Sequence, residues 1–348
     1  MSELKDYKCP ACGGAMEFDS KLQKMKCPYC DTILDVEEFE DKTNDTDNAS
    51  WEEGETDNIR VYSCNSCGGE IVAEDTTSAV ICPFCGSKIV VKKQFEGDLK
   101  PDYVIPFKLD KKAAKEAYYN HLKEKPFLPR IFKSENHIDE IRGVYVPFWL
   151  YNLETDADIT YDAERTRIWR TGNKEYTEHS QYKAYRQGSI DFKNIPEDGS
   201  EKMDDALMES VEPYDFNDAV PFKAAYLAGY MADRYDISAE DRMKRAVDRA
   251  RAAAEDSFMS TVTGYDYVKK SGSNINIRNS SYKYALYPVW ILNTTWKENK
   301  YVFAMNGQTG KMVGNLPVDK SLFWKYIGIR TPIISVIVFV LLTLFDMF

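Results

Sequence analysis

Apolar residues recur at helical spacing in two parts of the chain. Ala114, Ala117, Tyr118 and Leu122 share one face, which predicts a helix over 110–125. Met243, Ala246, Val247, Ala250, Ala254 and Phe258 do the same further on. Ser238 stands as N-cap there and Asp241 follows in a capping-box position, so a second helix is predicted from 238 to about 258. Elsewhere the period is two, or the run is simply apolar. Residues 144–151 predict a strand, and Pro147 places it at an edge or a bulge. Residues 158–170 and 176–186 alternate and predict a hairpin turning at 171–174. Residues 284–296 and 300–305 predict another, with a further turn at 306–310. Together these elements predict an α+β body over residues 100–318.

The body also repeats itself. Ile-Pro-Phe-Lys at 105–108 resembles Val-Pro-Phe-Lys at 220–223. The strand beginning Val146-Pro147-Phe148-Trp149 resembles the one beginning Tyr287-Pro288-Val289-Trp290. A helix lies between the two motifs in each case. The order predicts an internal duplication of a helix-plus-hairpin unit.

Ahead of the body, polarity matters less than sulfur. All eight cysteines precede residue 86 and form one pattern twice: Cys9, Cys12, Cys27 and Cys30, then Cys64, Cys67, Cys82 and Cys85. Each set is two CxxC turns joined by a hairpin-length segment. Four soft thiolates at this spacing suit a tetrahedral ion with no place for water, so the sites are read as structural and the ions as two Zn2+. Units this small bury too little surface to fold unaided, so the metal must contribute folding energy. The competing readings are redox pairs, a disulfide framework and an iron–sulfur cluster. Two equal copies in a chain whose first residues lack a secretory signal favour zinc. The predicted units are zinc ribbon 1 at 6–36 and zinc ribbon 2 at 60–92. Between them, residues 37–59 form an acidic linker that repels itself, with Trp51 as its odd residue.

Charge narrows the partners. The formal net charge is −11, which argues against general nucleic-acid binding, because phosphate neutralisation supplies most non-specific affinity. One stretch, 165–186, is basic and aromatic, with Arg165, Arg167, Trp169, Arg170, Tyr176 and Arg186 among its residues. It could stack on bases, meet lipid headgroups or proteins, or simply be a solvated face.

The end of the chain changes class. Residues 333–345 are apolar except for Ser335 and Thr343. With Tyr326 and Ile327 upstream, a helix over 326–348 is long enough to span a bilayer, tilted, with Pro332 as a kink. Trp324 and Tyr326 suit a headgroup belt. Lys320, Lys325 and Arg330 precede the span, which puts the bulk of the chain in the cytoplasm and predicts a single-pass, tail-anchored protein of the cell membrane.

Catalytic signals are missing. The three histidines, His121, His137 and His179, lie far apart in the sequence, and neither HExxH nor GxSxG occurs. Gly307-Gln308-Thr309-Gly310-Lys311 lacks the spacing of a phosphate loop and reads as a hairpin turn. The expectation is a protein without enzymatic activity and without a small-molecule substrate.

The CPAC, CPYC and CPFC knuckles, the YVIPFKLDKKAA, GVYVPFWLYN and ALYPVWILNTTW segments and the apolar C-terminal helix occur together. This combination resembles the YdjG-like membrane-anchored double zinc-ribbon proteins of Firmicutes, labelled TFIIB-type, over nearly the whole chain. The fourth knuckle, CNSC, lacks the proline and keeps both ligands. The resemblance implies membership of an envelope-stress, phage-shock-type complex, with other membrane and cytoplasmic proteins as partners. The expected function is therefore a membrane adaptor or scaffold whose zinc ribbons dock proteins. The alternative is a membrane-tethered, nucleic-acid-binding regulator.

Overall fold

The computed structural model describes residues 7–39, 51, 59–64, 66–74, 82–85, 87, 90–94, 99–123, 125, 127–134, 138 and 140–345. Its strands are β1 (Glu17–Asp19), β2 (Lys24–Lys26), β3 (Ile33–Leu34), β4 (Ile59–Ser63), β5 (Glu70–Glu74), β6 (Val90–Gln94) and β7 (Tyr103–Val104). Then come β8 (Arg142–Thr171), β9 (Lys174–Asp198), β10 (Val220–Pro221), β11 (Met231–Asp233), β12 (Tyr267–Trp296), β13 (Asn299–Asn306) and β14 (Met312–Gly314). The helices are α1 (Lys111–Lys123), α2 (Asp205–Val211), α3 (Ala239–Ser260) and α4 (Lys320–Phe345).

Three very long antiparallel strands organise the body. β8 has β12 on one side and β9 on the other. At about 3.3 Å per residue, the 30 residues of β8 follow a path of about 100 Å. Along it the strand meets three environments. From Gly143 to Tyr151 every residue is buried. From Leu153 to Ala163 the odd-numbered residues are buried and the even-numbered ones face outward, the signature of a sheet with one covered face. From Arg167 to the turn both faces are exposed. The sequence reading sees two separate strands at 144–151 and 158–170; the structure joins them. The turn lies where expected, with Thr171 paired to Lys174.

α3 covers the middle of this arm. Ser238 caps it by accepting from the Asp241 amide at 3.2 Å. Its small buried residues Ala246, Ala250 and Ala254 let the helix approach the sheet, and Ala254 packs with Ala157, Ile159, Tyr161 and Ala184. Met243, Val247 and Phe258, expected on the same face, are half-buried at its margin. Arg242 is buried, bonded to Asp198 at 3.2 Å and to Asp205 at 2.9 Å. Arg245 and Arg249 bond to Glu197, at 3.1 and 3.2 Å. These pairs clasp the helix to the end of β9 and to α2. α1 is capped by Asp110, which accepts from the Ala113 amide at 2.8 Å, and buries Ala114, Tyr118 and Leu122.

The two cysteine units join the body differently. β1, β2 and β3 form a separate small sheet. β4, β5 and β6 belong to the main sheet, where β5 pairs antiparallel with β11 and β11 pairs parallel with β8. The main sheet thus crosses the interval 92–100 that separates ribbon from body in the sequence. The end of the first ribbon and the start of the acidic linker, Val36–Phe39, form a short 3-10 turn with Val36 buried. Trp51 rests edge-on against Phe222 with centroids 5.9 Å apart. The rest of the linker, residues 40–50 and 52–58, lies outside the described residues.

α4 starts at Lys320, earlier than the expected 326, because Asp319 caps it. Its carboxylate accepts from the Ser321 amide at 2.9 Å. The helix contains Pro332, and from Lys320 to Val338 none of it is buried. It is long and apolar enough to cross a membrane.

Candidate metal centres

Each cysteine quartet is assembled from two knuckles that fold alike. In the first unit the Cys9 amide donates to Gly14 at 2.7 Å and the Gly13 amide to Cys9 at 2.8 Å. In the second the Cys64 amide donates to Gly69 and the Gly68 amide to Cys64, both at 2.8 Å. Gly13 and Gly68 both have φ of +72°, a region open to glycine at no steric cost. The returning knuckles repeat this, with the Cys27 amide donating to Thr32 at 2.9 Å and the Cys82 amide to Ser87 at 2.8 Å.

These turns aim four sulfurs at one point. Cys9 and Cys30 stand 3.4 Å apart and Cys12 and Cys27 3.5 Å apart. Cys64 and Cys85 stand 3.4 Å apart and Cys67 and Cys82 3.6 Å apart. Within each quartet all four sulfurs lie within 4.8 Å of one another. A disulfide needs about 2.05 Å. Four sulfurs about 2.3 Å from a shared ion stand nearly 3.8 Å from each other. The geometry therefore fits two metal ions, one per quartet, and the eight cysteines expected as ligands make up the two quartets.

The electrostatics of the thiols fit the same purpose. Burial raises Cys9, yet the Thr32 hydroxyl and the backbone around Ala11 and Cys12 outweigh it and bring its pKa to about 6. At Cys85 burial again raises the value and Ser87 lowers it, to about 6. Burial pushes Cys82 up. Charge is thus shared unevenly among crowded sulfurs, and a divalent cation held there would supply the field in which all four ionise.

Four supporting residues escape a reading based on cysteine spacing. Thr32 and Ser87 sit two residues after the last ligand of each copy; the Thr32 hydroxyl lies 3.1 Å from the Cys30 sulfur. Tyr29 and Phe84 lie over the second glycine of each first knuckle. A Cβ on Gly14 would come within 2.6 Å of the Tyr29 ring, and one on Gly69 within 3.0 Å of Phe84. The signal was present: the same residue class recurs at the same offset in both copies.

Among the described residues, the others singled out by the sequence do not assemble into a site. His121 is half-buried on α1, and burial, helped by Lys125, lowers its pKa. His179 is exposed and bonds to Glu164 at 2.6 Å, and His137 lies outside the described residues. In the 306–310 turn, the amides of Gln308 and Thr309 both donate to the Asn306 side chain at 2.9 Å, so they are not offered to a phosphate. In the basic stretch, Arg165 donates to Gly264 at 2.8 Å, Arg170 pairs with Glu175 at 2.7 Å and Arg186 bonds to Thr261 at 2.8 Å. Lys183 pairs with Asp162.

Two four-cysteine clusters, a sheet-rich body and one apolar helix long enough to span a membrane define the class. No family model matches the chain, and no solved structure matches it. It is similar to the uncharacterized protein YdjG of Bacillus subtilis (strain 168), 34% identical over 314 residues that cover 90% of each chain. The chain belongs to the YdjG family.

Proposed function

We propose that this protein is a membrane-anchored adaptor without catalytic activity, holding one structural Zn2+ in each cysteine quartet. In this reading α4 crosses the cell membrane, the body lies in the cytoplasm, and the exposed knuckles dock other proteins of an envelope-stress complex. The observation that carries it is α4 itself: an apolar helix, capped and rooted on the body, with no residue buried from Lys320 to Val338. Such a surface needs a solvent other than water. Lys320, Lys325 and Arg330 on the body side support the orientation. Zinc is favoured over other ions by the all-thiolate donor sets. On the first ribbon, Tyr29, Leu22 and Ile33 are exposed apolar side chains of the kind that seat a partner. Anchoring would raise the effective concentration of a bound partner at the bilayer. The internal partners of Arg165, Arg170, Lys183 and Arg186 weigh against the nucleic-acid alternative.

A duplicated origin of the body is part of this reading. Val146 and Tyr287 open the two similar strands, and they sit directly opposite each other between β8 and β12. Two residues ahead of each, β11 pairs Met231 with Val144 and β7 pairs Tyr103 with Ala285, both parallel. A local two-fold through the Val146–Tyr287 pair would relate these contacts.

The test is fractionation. Removing residues 320–348 should move the protein, and the partner captured with the full chain, to the soluble fraction. A partner that stays on the membrane without α4 would end the recruitment reading.

A further inference from the structure

The helix length sets how close the body stands to the bilayer. α4 has 26 residues, about 39 Å at roughly 1.5 Å each. The hydrocarbon core takes about 30 Å. With the apolar end inside, the first turns of α4 remain in the headgroup layer, around Phe323 and Tyr326. Phe127 of the body packs against those two residues, at 5.3 and 5.2 Å between ring centroids. The Asp319 amide also donates to the Phe127 carbonyl at 2.8 Å. Phe127 therefore sits at headgroup depth and brings neighbouring body surface with it.

That surface is cationic and aromatic, in a chain whose net charge is −11. Three residues after Phe127 comes the short turn Arg130–Lys133, with Arg130, Ile131 and Lys133 exposed and Phe132 buried. Phe132 meets Tyr301 at 5.5 Å, and Tyr301 meets Trp296 at 6.5 Å. Lys297 lies over the Trp296 ring at 4.5 Å. Lys297 in the turn between β12 and β13 and Lys300 at the start of β13 are exposed, and Glu298 is the carboxylate between them. Trp and Tyr beside Lys and Arg are the side chains that suit the boundary between headgroups and water.

We propose that the Arg130–Lys133 turn and the β12–β13 turn form a platform that lies on the same bilayer and binds anionic lipid headgroups. The platform rests on the reading of α4 as a span and extends it. It holds the body in one orientation over the membrane, so that the anchor is not a swivel. Each basic side chain at an anionic surface contributes roughly a fivefold change in affinity, which salt weakens.

Hydrogen exchange on the full chain in lipid nanodiscs tests this. Phosphatidylcholine discs are compared with discs that also contain phosphatidylglycerol. Amides at 130–134 and 296–301 should exchange more slowly in the anionic discs, while the far turn at 171–174 exchanges equally in both. Added salt should erase the difference, and so should Lys133→Glu with Lys297→Glu and Lys300→Glu. Equal exchange in the two lipids by an incorporated chain would overturn the platform alone. A chain that enters neither disc would overturn the span itself.

Discussion

The two cysteine quartets share ligands, turns and supporting residues, but they sit in the fold differently. The first keeps a sheet of its own, while Cys9, Met16, Phe18 and Cys27 pack in one core cluster with Phe107, Tyr118 and Tyr226 of the body. Its small sheet meets the body through Phe18 against Tyr226 at 5.1 Å, Gln23 donating to the Phe107 carbonyl at 2.8 Å, and Lys21 paired with Asp110 at 2.7 Å. Cys12 and Cys30 are exposed. The second is built into the main sheet. Cys64 and Cys82 pack in one core cluster with Tyr62, Ile71, Val144 and Val289, and the Asn293 side chain bonds the Pro83 carbonyl. The same metal-binding motif can therefore join a body through side-chain packing alone or through a shared sheet, and the strands flanking it decide which.

The largest expected effect separates the two. Binding of a structural zinc is worth about 10–16 kcal/mol in isolated fingers. Cys82→Ser should remove one ion and disorder the β4–β5–β6 part of the main sheet, lowering soluble yield and the melting temperature of the body. Cys12→Ser should also remove one ion yet leave the body melt in place. Equal losses from both, read by circular dichroism, would break the contrast.

Phe18→Ala sharpens it. Truncating a buried aromatic costs about 3–5 kcal/mol. Here the loss should appear as detachment of residues 7–39, seen as faster proteolysis of that segment, with cooperative unfolding of the body preserved.

How much of this contrast the sequence shows depends on the element. The quartets were legible because thiolate spacing is chemistry, independent of where the strands go. The helix start at Asp110, the cap at Ser238 and the turn at 171–174 were legible because they are local. The join of β5 to β11 was not, since three-residue β11 carries no pattern of its own. The first half of β12 was hidden for another reason: residues 271–281, Ser-Gly-Ser-Asn-Ile-Asn-Ile-Arg-Asn-Ser-Ser, are mostly polar and exposed on both faces. Their strand is imposed by pairing with β8. Buried Arg242 left no signal in the sequence because its carboxylate partners, Asp198 and Asp205, come from distant segments.

A smaller effect should mark the join of the second quartet. Asp233 on β11 faces Ile71 of β5 across the ladder and is fully buried, so its pKa is lifted to about 8, although the Ser200 hydroxyl lowers it. Unfolded, it titrates near 3.8. The folded chain thus keeps a proton that the unfolded chain has lost. That contribution is complete below the unfolded value and is lost as pH rises through about 8. Denaturant midpoints should fall between pH 5 and pH 9 in the native protein and flatten in Asp233→Asn. An unchanged slope would mean that the join carries no such proton.

The smallest effect belongs to the first quartet. Gln23→Ala removes one bond to the Phe107 carbonyl, worth about 1 kcal/mol. It should raise protease sensitivity of residues 7–39 modestly and leave metal content unchanged.

The central claim is that both quartets are metal sites, and native mass spectrometry of the purified full chain addresses it directly. The account predicts two zinc ions per chain with all eight thiols reduced, and one ion in Cys12→Ser. A chain that carries no metal, or whose mass shows cysteines joined as disulfides, would contradict it.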